Sequence, residues 1–134
     1  MFDMSVVISE NNRLLSQKTS LFESGVDFVG IINNKGKMID FIGTDSLVMP
    51  KDKKEMFFMK IALRNSMQKD FDEDLGPVNY CLTQREDAKF ISIPISGKKT
   101  VFVVTKNNVD HEEVIAKINK ILQFSKQILE EKLP

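Results

Sequence analysis

The chain has 134 residues, 42% of them hydrophobic and 28% charged. Its 19 basic residues balance 19 acidic ones, so bulk charge gives no reason to expect nucleic acid or an anionic membrane as partner. Six Gly and four Pro exclude collagen-like and low-complexity classes, and a single Cys excludes an internal disulfide or a multi-cysteine zinc site.

This length fits one domain, residues 1–134, large enough to bury a core without a staple. Cysteine usage predicts a reducing, cytoplasmic setting. Asp3 and Ser5 do not suit a signal peptide, and the absence of any run of about eighteen apolar residues predicts a chain without a membrane span.

In chain order, residues 5–24 read as a helix. Val7 and Ile8, Leu14 and Leu15, and Leu21 and Phe22 recur on one face, Asp3 or Ser9 can cap it, and Gly25 suits a left-handed C-cap. The apolar run Val26 to Asn33, the turn Asn33-Asn34-Lys35-Gly36, and Lys37 to Gly43 predict a β-hairpin. After the connection Thr44 to Pro50, Asp52 and Glu55 have the spacing of a reciprocal N-cap pair. A second helix follows to about Lys69, where the acidic run Asp70 to Asp74 and Gly76-Pro77 end it.

Three strands come next. Val78, Tyr80 and Leu82 alternate with Asn79, Cys81 and Thr83; Ile91, Ile93 and Ile95 alternate with Ser92, Pro94 and Ser96, which predicts one buried face. Val101 to Val104 forms the last strand, after the turn Ser96 to Lys99. Pro94 has no N–H, so its nitrogen should face a bulge, an edge or solvent. In the final helix Asp110 is the cap, Glu112 and Glu113 suit the positive end of the dipole, and Val114, Ile115, Ile118, Ile121, Leu122, Ile128 and Leu129 form the stripe. The order α-β-β-α-β-β-β-α predicts an α/β sandwich of the α+β class. It should have one mainly antiparallel five-stranded sheet flanked by helices, the first and last helices packed together on one face.

Chemical motifs fail on spacing. Asp70, Asp72 and Asp74 begin a calcium-loop pattern, but Leu75 and Cys81 stand where Gly and Glu are required, leaving a solvated acidic turn. Gly97-Lys98-Lys99-Thr100 lacks the upstream Gly and the adjacent hydroxyl of a phosphate loop. His111 is the sole histidine and sits beside a cap, and Cys81 reads as a structural thiol, so no catalytic residue, metal ligand or cofactor is assigned. Lys35, Lys37, Lys51, Lys53, Lys54, Lys98 and Lys99 fall in turns or at a helix start, but few aromatic platforms accompany them, so nucleic acid is not the expected partner.

The run Gly25-Val26-Asp27-Phe28-Val29-Gly30-Ile31-Ile32-Asn33-Asn34-Lys35-Gly36, with the element order, resembles the roadblock/dynein light-chain-type family of the profilin-like group that includes longin domains. Phe28 and Gly30 depart from that family's small-then-branched pattern. The resemblance implies a scaffold without a catalytic centre. It implies homo- or heterodimers formed through the second helix and the neighbouring edge strand, and binding or regulation of small GTPases.

The second helix carries two apolar faces. At about 100° per residue, Met56, Met59, Ala62, Leu63 and Met67 share one face, read as covering the sheet. Phe57, Phe58 and Ile61 fall outside it, among Lys60, Arg64, Asn65 and Gln68. The predicted interface of a homodimer is therefore Met56, Phe57, Phe58, Lys60, Ile61, Arg64 and Gln68. The leading function is a non-catalytic protein–protein interaction module, a homodimeric scaffold or small-GTPase regulator. The alternatives are a PAS-like sensor with an internal ligand pocket and an enzyme with paired titratable groups.

Overall fold

The computed structural model describes residues 18–44, 47–96 and 98–132. Its elements are α1 (Lys18–Glu23), β1 (Val26–Asn33), β2 (Met38–Gly43), α2 (Lys51–Gln68), a 3-10 turn (Lys69–Phe71), α3 (Asp72–Leu75), β3 (Cys81–Gln84), β4 (Lys89–Ser96), β5 (Lys99–Thr105) and α4 (His111–Lys132). The strands form one five-stranded antiparallel sheet in the order β2-β1-β5-β4-β3, an α+β fold as the element order predicts. The chain divides into two compact units, one holding α1 and α4 and the other spanning Asp27–Asn107.

In the first unit Gly25 ends α1 at φ 96°, the left-handed cap expected of it. Asp110 caps α4, its Oδ1 accepting the Glu112 N–H at 3.0 Å. Leu21, Val114, Ile115 and Ile118 are buried, and the two helices touch where Lys117 Nζ donates to Ser24 Oγ. The expected stripe residues Val7, Ile8, Leu14 and Leu15, with both candidate caps, lie outside the described residues. So do the side chains of Ile128 and Leu129.

In the second unit the β1–β2 turn closes as read: Gly36 N–H donates to Asn33 O, while Asn33 Oδ1 accepts the N–H groups of Lys35 and Lys37. Gly36 has φ +83°, and its Cα lies so close to α2 that an added Cβ would stand 2.4 Å from Met59 Cα. Only glycine lets the hairpin tip rest on the helix backbone.

Three sequence expectations are corrected. Pro50, not Asp52, stands at the N-cap of α2, and Asp52 Oδ1 instead accepts the Lys53 N–H, so no Asp52–Glu55 box forms. The acidic run is not a turn: the 3-10 turn and α3 carry helical backbone on to Leu75. The third strand starts at Cys81 rather than Val78, because continuing its register past Cys81↔Ser92 would set Asn79 opposite Pro94, which has no N–H to give. Pro94 itself lies beside a β-bulge, where the register shifts between Pro94 and Ser96. Strand β4 is also buried on both sides near its middle, Ser92 as fully as Ile91 and Ile93.

Candidate protein-interaction face

One sheet face, carried by Phe28, Ile32, Phe102 and Val104, packs against Phe58 and Ile61 of α2. Phe57, Phe58, Phe90 and Phe102 form an aromatic cluster in which Phe57 meets the other three edge-on at 5.7–5.9 Å between ring centres. Such pairs contribute about 0.5–1.5 kcal/mol each beyond the area they bury. Farther along α2 the contact turns polar. Arg64 Nη2 donates to Ser92 Oγ at 3.0 Å, Asn65 Nδ2 to Thr100 Oγ1 at 2.6 Å, and Cys81 Sγ to Gln68 Oε1 at 3.4 Å. Aromatic packing at one end and hydrogen bonds at the other fix the helix's rotation about its own axis.

That rotation is opposite to the one the hydrophobic pattern suggests. Phe58 and Ile61, expected at the interface, are each 7% exposed and belong to the core. Phe57, Arg64 and Gln68 are half-buried on the sheet side, so of the expected set only Met56 and Lys60 face outward. Met59, Leu63 and Met67, expected to cover the sheet, are instead exposed. The structure therefore does not gather the seven residues into one surface.

What it does gather is a ridge. Met59, Leu63, Met67, Phe71 and Leu75 recur every four residues along α2, the 3-10 turn and α3, and every one is exposed, with Met56 beside the first. Phe71 and Leu75 carry the signal that sequence reasoning overlooked. They continue the four-residue row into Asp70, Asp72, Glu73 and Asp74, where a core-facing position is untenable.

The sheet edges differ. On β2 the register passes from Ile31↔Asp40 to Ile32↔Met38, leaving Ile39 as a bulge, and the Phe41 N–H is taken by Asp40 Oδ1 at 2.9 Å. A bulge and a self-occupied donor blunt that edge against another strand. At the other edge β3 pairs with β4 alone, close to the C-terminal half of α2 through Cys81 and Gln68.

Beside the N-terminal half of α2 runs an open groove of about 820 Å³. Phe57, Phe90 and Val104 form its floor; Lys53 and Lys60 line the helix side, and Arg85, Glu86 and Asp87 the β3–β4 loop. His111 is the first residue of α4, and Cys81 is a half-buried thiol on β3. Among the described residues no group of three His, Cys, Asp or Glu side chains is placed to hold a metal ion. None of the described helices is long and apolar enough to cross a membrane.

Solved structures share this architecture. MglB from Myxococcus xanthus superposes with TM-score 0.69 at 12% identity, over 95% of this chain and 92% of that one. The fold is that of the Roadblock/LC7 domains. A Roadblock/LC7 domain from Streptomyces avermitilis matches with TM-score 0.60 at 9% identity, over 78% of this chain and 86% of its own. A structure of MglB with a tetrameric arrangement matches with TM-score 0.66 at 11% identity, over 92% and 93% of the two chains. No family model matches the sequence, nor does any curated protein.

Proposed function

We infer that this chain is a non-catalytic protein–protein interaction module, self-associating through α2 and the β3 edge and regulating a small GTPase. The observation that carries the reading is the ridge Met59, Leu63, Met67, Phe71 and Leu75, set on the side of α2 away from its buried residues. A helix that has already satisfied one apolar face against its own sheet gains nothing from a second unless something else covers it. Methionine-rich surfaces adapt well to a partner's shape. The blunted β2 edge leaves β3 as the strand able to accept a neighbour. The tetrameric arrangement of a protein with this fold is consistent with self-association. The GTPase partner follows from the roadblock resemblance alone.

A small-ligand sensor asks for an enclosed pocket; the groove beside α2 is open to solvent, which favours a protein segment over a small molecule as its occupant.

The test uses the full chain. Light scattering should give a dimer or larger assembly for the wild type and a monomer for the double variant Met59→Glu, Leu63→Glu, with unchanged circular dichroism because both positions are exposed. A small GTPase from the same cell should bind the wild type in one nucleotide state and change its hydrolysis or exchange rate on binding. A monomeric wild type at high micromolar concentration sinks the self-association; a GTPase panel without nucleotide-dependent binding sinks the regulatory role.

A further inference from the structure

The two ends of the α2 ridge carry opposite charge. At its start stand Lys51 and Lys53, both exposed, with Lys60 two turns on. Beyond its end come Asp70, Asp72, Glu73 and Asp74, interleaved with exposed Phe71 and Leu75. Leu75 is 82% exposed and Val48, just before α2, is 98% exposed, so each end also leaves a large side chain in water.

A twofold contact between two copies of α2 runs the helices antiparallel. Centring the ridge on itself sets Met56 against the second copy's Met67. The same register sets Lys53 against Asp70, Lys51 against Asp72 and Val48 against Leu75. Every cationic end then meets an acidic one, and both ends do so at once. Parallel pairing would instead set lysines on lysines and aspartates on aspartates. Where the acidic end arrives, the groove offers an aromatic floor of Phe57 and Phe90 and a cationic helix side of Lys53 and Lys60.

We propose that the groove beside α2 receives the segment Asp70–Leu75 of a second copy of this chain, Phe71 and Leu75 on its floor and Asp70 and Asp72 on Lys53 and Lys51. The proposal rests on the self-association reading above and adds orientation, register and occupant to it. It also gives the acidic run a role: the run fixes antiparallel pairing and discriminates against partners lacking the complementary ends.

The experiment is a charge swap in the full chain. One variant carries Lys51→Glu and Lys53→Glu, the other Asp70→Lys and Asp72→Lys. Acidic residues suit a helix N-terminus and basic ones a C-terminus, so circular dichroism should show both folded. Each exposed pair alone contributes little, but reversal turns four attractions per dimer into repulsions, so each variant's self-association should weaken by about tenfold or more. Mixed in equal amounts, the two variants restore complementary charge at both ends, and sedimentation should recover a 1:1 heterodimer near the wild-type affinity. A third variant, Phe71→Ser with Leu75→Ser, should lower association without changing the fold. If the wild type is monomeric, the self-association reading itself fails. If the wild type dimerises while both charge variants dimerise equally well, or their mixture recovers nothing, the dimer stands and this mode of seating is overturned.

Discussion

The rotation of α2 decides which residues are core and which are available to a partner, and neighbouring positions on the helix test it. Phe58 is 7% exposed and touches Phe102 and Phe57; Met59, the next residue, is 55% exposed. Truncating a buried Phe to Ala costs roughly 3–5 kcal/mol, from lost transfer energy and the cavity left among rings that relax only in part. At about 2.1 cal/mol/K per residue, a chain of 134 residues has an unfolding entropy near ~0.28 kcal/mol/K, so Phe58→Ala should lower Tm by roughly 11–18 °C. Met59→Ala removes side-chain atoms from solvent and should cost no more than about 0.5 kcal/mol, under ~2 °C. Any larger loss at Met59 should come from self-association and fade as the protein is diluted. Thermal unfolding followed by circular dichroism across a dilution series separates the two. If Met59→Ala at the lowest concentration costs as much as Phe58→Ala, the helix is rotated the other way and the ridge is core.

The remaining expectations concern the frame that holds this face. Gly36 and Gly76 share a left-handed backbone, φ +83° and +82°, but nothing lies within 4 Å of the Cβ position at Gly76, whereas at Gly36 it falls on the α2 backbone. Gly76→Ala should therefore cost only the strain of that conformation, about 1–2 kcal/mol, and Gly36→Ala clearly more; equal losses in urea titrations would refute the close approach of the hairpin. Asp110→Ala removes the acceptor at the start of α4 and should cost about 0.5–2 kcal/mol, recovered largely by Asp110→Asn. If Asn is no better than Ala in thermal melts, the side chain is not capping.

Local signals translated well from sequence to structure because each is read by nearby backbone alone. Gly25 ends a helix, Asn33 and Gly36 close a turn, Asp110 caps a helix, and Pro94 marks a bulge, all within a few residues of where the pattern places them. Failures occurred where a distant group decided. The third strand lost Val78 to Tyr80 to the missing N–H of a proline on the strand it pairs with. Asp52 lost its cap role because the chain enters α2 at Pro50, whose fixed φ starts the helix without a side-chain acceptor.

The interface was misplaced for a deeper reason. A periodicity argument assumes one apolar face per helix and assigns the rest to water, but α2 has two, and their hydrophobicity does not say which meets the sheet. Shape and hydrogen bonding decide it. Flat rings at Phe57 and Phe58 interlock with Phe90 and Phe102, whereas unbranched methionines have no such fixed complement. Arg64 and Asn65, polar residues that look as if they belong outside, are drawn inward because Ser92 and Thr100 offer acceptors on the sheet. Once those inward bonds set the rotation, Met59, Leu63 and Met67 must point outward, and the row they make with Phe71 and Leu75 follows without further choice. The outward face is thus a consequence of how the inward one is satisfied, which is why it must be sought in the acidic run beyond the helix, where apolar residues stand among carboxylates that no core would admit.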